Sequence, residues 1–210
     1  MLKVWGRGSV ANVQKVLWCL GELELDYALD EACPDTGNAR DDSYLTSKVR
    51  HAVPVIDDDG FVLWEGNAIV RYLCFKHSLG ALCPVDPAVR ADAERWMDYQ
   101  LSTVREHIHP LMRVELDPDR VAFHSKGFAR AMSVLEATLA DRPYLTGESF
   151  TMGDIPLGIM AYRWSVLNIE RSPMPNIEAW YARLRDRKAF QENVCVPEDP
   201  IIGLRSTATG

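Results

Sequence analysis

The sequence predicts an α/β unit over residues 1–78 and an all-α unit over residues 89–210, joined by a linker over 79–88. Three observations carry that prediction. Short β-type runs alternate with helical apolar spacing in the first third of the chain. Gly80, Pro84 and Pro87 then break the pattern. Beyond them the helical periodicity continues, and no convincing β run returns.

The elements follow in order. LKVW at 2–5 reads as a strand that stops at Gly6-Arg7-Gly8. From Val13 the apolar positions Val13, Val16, Leu17, Leu20 and Leu23 predict a helix, with Lys15, Glu22 and Glu24 on its polar side. Residues 26–30 read as a second strand, followed by the turn-rich stretch Cys33 to Asp42. VPVI at 53–56 and FVLW at 61–64 flank Asp57-Asp58-Asp59-Gly60, a strong hairpin signal. Glu65 to His77 reads as a helix. Further helical patterns cover Val89–Leu116, Arg120–Ala140, the strongly apolar Thr151–Leu167, and Ile177–Arg187. Thr151-Met152-Gly153-Asp154 has the spacing of a capping box, whose reciprocal side-chain to backbone bonds would start a buried helix.

Composition narrows the function. Lys+Arg 23 against Asp+Glu 30 gives a charge of −7, which disfavours nucleic acid and anionic membranes as partners. The five cysteines are scattered and form no CxxC pair, against a zinc ribbon or a dithiol motif. His107 and His109 point to different helix faces, and Cys74 with His77 lacks a third ligand, so no metal site is expected. The N-terminus has no signal-peptide core and no stretch is long enough to span a bilayer. A soluble, cytoplasmic protein is expected.

Three places could carry chemistry. Pro54 cannot donate to a sheet ladder, so it lies at a strand edge or end. If Val53-Pro54 is cis, the Val53 backbone turns outward to pair with an extended ligand; a plain edge proline is the other reading. Glu65-Gly66-Asn67 stands at a helix start, where N–H groups attract a carboxylate and Glu65 could accept from an ammonium, unless Glu65 only caps the helix. Ser9-Val10-Ala11-Asn12 follows the first strand, where Ser9 and Asn12 can donate to an anion or merely cap the next helix.

Taken in order, these features resemble the glutathione transferase family over roughly residues 1–197, most closely its bacterial theta-like and beta-like members. The stretches that carry the resemblance are NVQKVLWCLGEL, AVPVIDDDGFVLWEGNAIVRYL, RPYLTGESFTMGDIPLG, YRW and MPNIEAWYARLRDR. The resemblance implies a thioredoxin-like domain that binds glutathione as co-substrate, with no other cofactor. It also implies a helical domain that supplies a pocket for a small hydrophobic electrophile. Glutathione would pair with the backbone of Val53 beside a cis Pro54, and its γ-glutamyl end with Glu65 and the N–H of Gly66. Asn12, ahead of Ser9, would stabilise the thiolate. Val10, Trp96 and Arg105 would line the second-substrate pocket. The expected protein is a homodimeric detoxification enzyme that conjugates glutathione or uses it in thiol-dependent reduction. Val10, Ala52 and Gly66 stand where such relatives usually place polar contacts. The alternative they favour is a non-catalytic ligand-binding or protein-interaction module on the same fold.

Overall fold

The computed structural model describes residues 1–31, 53–112, 117–167, 169 and 171–195. Ala52 and the stretch Cys33 to Asp42 lie outside the described residues. Four short strands form one mixed sheet in the order β2-β1-β3-β4: β1 (Leu2–Trp5), β2 (Tyr27–Asp30), β3 (Val55–Asp58) and β4 (Phe61–Trp64). β1 and β2 run parallel, with Leu2 opposite Tyr27 and α1 (Ala11–Glu22) as the crossover helix between them. β3 pairs antiparallel with β1, Ile56 opposite Val4, and with β4, Asp58 opposite Phe61. Asp59 and Gly60 both have positive φ (51° and 94°), the geometry that a two-residue hairpin turn requires. The Asp57 carboxylate accepts from Gly60 N–H at 2.6 Å and holds that turn. α2 (Gly66–His77) follows β4 and packs on α1.

The helical unit begins two residues earlier than the periodicity indicates. Asp86 accepts from the N–H groups of Ala88 and Val89 at 2.9 and 3.0 Å, and Pro87 occupies the first turn, where its missing donor costs nothing. α3 (Pro87–Tyr99) runs into a π-helical turn, Gln100–Val104, and then into α4 (Arg105–Leu111), so the long helical pattern carries a local bulge. α5 (Pro118–Thr138), α6 (Asp154–Val166), α7 (Pro175–Arg185) and α8 (Lys188–Asn193) complete the described helices.

The capping box forms as expected, one turn before α6. Thr151 N–H donates to Asp154 Oδ2 at 3.0 Å, and Gly153 N–H donates to Thr151 Oγ1 at 3.3 Å. Asp154 also accepts from Leu145 N–H (3.0 Å) and Trp180 Nε1–H (2.9 Å), so one buried carboxylate ties three segments together.

α1 departs most from expectation. Every residue from Val13 to Leu20 is buried, Gln14 and Lys15 included. The helix is not amphipathic in use, because α2, α6 and α8 all pack around it. Trp18 fills this joint, edge-on to Phe190 at 4.7 Å and tilted on Phe150 at 5.4 Å. Its indole N–H donates to Glu22, whose carboxylate accepts from Arg187 Nε–H and Nη2–H at 2.7 and 2.6 Å.

Candidate functional site

Two helix starts meet at the carboxyl end of β1. The first intrahelical bond of α1 is Gln14 N–H to Val10 C=O, which leaves the N–H groups of Ala11, Asn12 and Val13 outside the ladder. In α2 it is Ile69 N–H to Glu65 C=O, which leaves those of Gly66, Asn67 and Ala68. Neither helix has a side-chain cap. The capping roles considered for Ser9, Asn12 and Glu65 are therefore not realised. Among the described residues the three side chains make no hydrogen bond at all, and they remain available.

The starts approach closely because residue 66 is glycine. A Cβ there would stand 3.0 Å from the Asn12 carbonyl oxygen, tighter than an ordinary contact. Glu65 itself is exposed and has φ 73°, ψ 109°, a left-handed conformation that a non-glycine residue adopts at a cost of about 1–3 kcal/mol. Strain of this kind persists where the surrounding structure holds it. Here it sets the Glu65 carboxylate at the mouth of α2.

The Val53–Pro54 bond is cis, and β3 begins at the next residue. Val53 is half-buried and lies beside Gly6, where a Cβ on Gly6 would meet the Val53 Cβ at 3.3 Å. Val53, the end of β1 and the start of α1 thus share one corner of the sheet. Ser9, Val10 and Asn12 are partly accessible at that corner.

Polar groups beneath the corner hold it in place, and the periodicity did not single them out. Arg163 on α6 donates to the Ser9 carbonyl at 2.8 Å and to Gln14 Oε1 at 2.6 Å. Lys15 Nζ donates to Asn67 Oδ1 at 3.1 Å and to Gln100 Oε1 at 2.7 Å. Asn67 in turn donates to the Met97 carbonyl at 2.7 Å. Burial, with the Arg105 guanidinium nearby, lowers the Lys15 pKa to about 7, against the pull of the Glu65 carboxylate. An interior lysine in a helix of mostly apolar residues is the one sequence signal that could have pointed here.

Not every expected residue converges. Trp96 is 3% exposed and spends its indole N–H on the Leu145 carbonyl at 3.1 Å, so it is a core residue and not a pocket wall. Its placement follows from α3 packing against α6. Arg105 is exposed just past the π-turn, within electrostatic reach of Lys15. A groove of about 660 Å³ between the long helix and α5 is lined by Tyr99, Thr103, His107 and Phe123 among others, and by none of Ser9, Val10 or Asn12. Among the described residues, no group of three or more His, Cys, Asp or Glu could hold a metal ion, and no helix is long and apolar enough to cross a membrane.

A mixed four-stranded sheet, a helical unit packed against its crossover helix, and paired uncapped helix starts beside a cis-proline make up the architecture, and comparison gives it a family. Residues 1–74 match the family described as glutathione S-transferase, N-terminal domain, and residues 118–183 match glutathione S-transferase, C-terminal domain. The chain is 34% identical over 206 residues to glutathione S-transferase GstB of Escherichia coli K12, covering 94% of this chain and 99% of that one. It is 28% identical to glutathione S-transferase F14 of Arabidopsis thaliana, covering 96% of this chain and 83% of that one. Its fold is similar to the theta class glutathione S-transferase of Xanthomonas axonopodis pv. citri with glutathione bound. That similarity has a TM-score of 0.86 at 39% identity, over 93% of this chain and 97% of that one. The chain belongs to the glutathione S-transferase family.

Proposed function

We propose that this protein binds glutathione at the junction of α1, α2 and β3 and transfers its thiol to a small hydrophobic electrophile, or uses it in thiol-dependent reduction. The observation that carries the reading is the uncapped start of α2 with the free Glu65 carboxylate at its mouth. The γ-glutamyl ammonium pairs with Glu65, and the adjoining carboxylate sits on the N–H groups of Gly66 and Asn67. The cysteinyl unit pairs with the Val53 backbone beside Pro54, which sends the sulfur toward Ser9 and Asn12. The 39% identical relative with glutathione bound supports the assignment.

The chemistry required of the site is modest. A free thiol of pKa ~8.5 is only a few per cent ionised at neutral pH. Lowering it by about two units takes roughly 2.7 kcal/mol of preference for the thiolate. One hydrogen bond to a charged group contributes about 1.5–3 kcal/mol, so Asn12 or Ser9 suffices with the α1 start behind it. Val10 and Arg105 border the second substrate. Glutathione is the co-substrate and no resident cofactor is needed. The functional units are residues 1–78 and 89–210, and the working form is a cytoplasmic homodimer, with exposed Phe61, Val62 and Phe75 as apolar surface for a second copy to cover.

Calorimetric titration with glutathione, followed by a spectrophotometric assay of conjugation to an activated aryl halide, tests the proposal. Saturable binding with turnover is the expected result. No heat at millimolar glutathione would refute it.

A further inference from the structure

Lys15 is 1% exposed, yet no carboxylate of the described residues is hydrogen-bonded to it; its partners are the neutral amide oxygens of Asn67 and Gln100. Lysine is almost never fully buried unless paired with an opposite charge. A methionine of similar length would fill the same space with no charge to desolvate. The position of Lys15 is therefore informative. Through Asn67, two residues past Glu65, it pins the start of α2, and through Gln100 it pins the opening of the π-turn.

The charged groups around it leave it undercompensated. Glu65, from the head of α2, favours the ammonium, while Arg105, from the helix beyond the π-turn, opposes it. Arg71 and Asp98, on α2 and α3, are paired with each other. On the α6 side, Arg163 is engaged with Ser9 and Gln14. Gln100 supplies a second arrangement for the neutral amine. Its Nε2 is buried without a partner, so an amide flip would let Nε2–H donate to the lone pair of Nζ. The same pair of side chains thus accommodates either charge state.

We propose that Lys15 is a positioning residue linked to ligand binding: an anionic γ-glutamyl ligand arriving at the start of α2 shifts Nζ toward its protonated form, the proton coming from solvent, and the ammonium holds Asn67 and the helix start in the binding geometry. This rests on the reading of Glu65 and Gly66 as the glutathione site. The ligand's α-carboxylate, seated on the N–H groups of Gly66 and Asn67, brings a negative charge to the helix start that Lys15 supports through Asn67, while the ammonium is held outward on exposed Glu65. The lysine sits near its titration midpoint at neutral pH, where a small change in field moves the largest fraction of a proton.

The test uses S-methylglutathione, which keeps both carboxylates and the ammonium but has no thiol to ionise. Calorimetry at pH 7.5 in two buffers of different ionisation enthalpy gives the protons taken up per ligand. For a bound-state rise of about one unit, uptake is about half a proton, and affinity falls about fivefold between pH 6 and pH 8. Lys15→Met should bind more weakly with no uptake and a flat profile. Lys15→Arg, charged throughout, should restore affinity at pH 8 while also showing no uptake. Equal uptake in wild type and Lys15→Met would overturn the role of Lys15 and leave the glutathione site standing. Wild-type binding that takes up no proton and is flat from pH 6 to 8 would overturn it even if the methionine variant does not fold. No heat from wild type at millimolar ligand would overturn the glutathione site and this linkage together.

Discussion

Arg163, near the end of α6, donates to the backbone carbonyl of Ser9 at 2.8 Å, so a guanidinium of the helical unit holds the loop that opens the site. The same arm reaches Gln14 Oε1 at 2.6 Å, and Arg163 is 1% exposed. The single Nη2, fixed by the planar guanidinium, serves two acceptors at once, which a lysine ammonium on a flexible stem would hold less rigidly.

Arg163→Met should therefore act on stability and turnover together. Losing the guanidinium leaves the Ser9 carbonyl and Gln14 Oε1 without their donor, at about 1–3 kcal/mol each. For a chain of this length the two together are a fall in Tm of roughly 4–24 °C. In the protein that remains folded, freeing the Ser9–Asn12 segment should lower kcat/KM by at least about tenfold, because misplaced donors lose their alignment with the sulfur. Arg163→Lys should recover part of the stability and less of the rate. Thermal melts beside steady-state kinetics separate the two effects, and unchanged kinetics in both variants would contradict the positioning role.

Gly66 yields a steric prediction. A Cβ at this position meets the Asn12 carbonyl oxygen at 3.0 Å, so one of the two helix starts must give way. Gly66→Ala and Gly66→Ser should each lose about 1–3 kcal/mol as overpacking displaces Asn12. Glutathione binding should weaken in the alanine variant. Tighter binding in the serine variant than in the alanine variant would place the new hydroxyl at the ligand. Denaturant midpoints and calorimetry on the pair read both quantities.

Asp154 gives the pH dependence. Burial pushes its carboxyl up to about 6 from 3.8, outweighing the hydrogen bonds from Leu145, Thr151 and Trp180 that hold it down. The folded state then binds a proton more tightly than the unfolded chain. The group's contribution to stability is fully present below pH ~4 and is lost as pH rises through about 6, by roughly 3 kcal/mol. Asp154→Asn removes the titration but turns an N–H toward the donors it should accept from, at a cost of about 1–3 kcal/mol at pH 7. Its deficit relative to wild type should widen as pH falls from 7 to 4. A deficit that narrows would show that the buried carboxyl is held down instead.

The sheet and the turn between β3 and β4 were legible because local chemistry dictates them. Asp59-Gly60 supplies the two positive φ angles, and Pro54 cannot sit within a ladder. The capping box was legible for the same reason, since Asp154 accepts from Thr151 N–H and Thr151 Oγ1 accepts from Gly153 N–H within one turn. Lys15 was not. Periodicity assigns a face from one helix alone, and α1 has neighbours on every side. Trp96 failed in the converse way: an aromatic at the right height on the long helix is turned into the core by packing against α6. The π-turn at Gln100–Val104 leaves no compositional trace, yet Gln100, which Lys15 holds, is its first residue.

The most direct measurement is glutathione affinity in Glu65→Gln, which keeps the side-chain shape and removes the charge. Glu65 makes no capping bond and its carboxylate is exposed, so the variant should melt with the wild type. Losing a charge partner for the γ-glutamyl ammonium costs about 2–5 kcal/mol when the pair is held in a partly closed site. Glutathione binding should be at least tenfold weaker by calorimetry at unchanged Tm. Wild-type affinity in Glu65→Gln would contradict that pairing, because the ammonium of the ligand would then lie elsewhere.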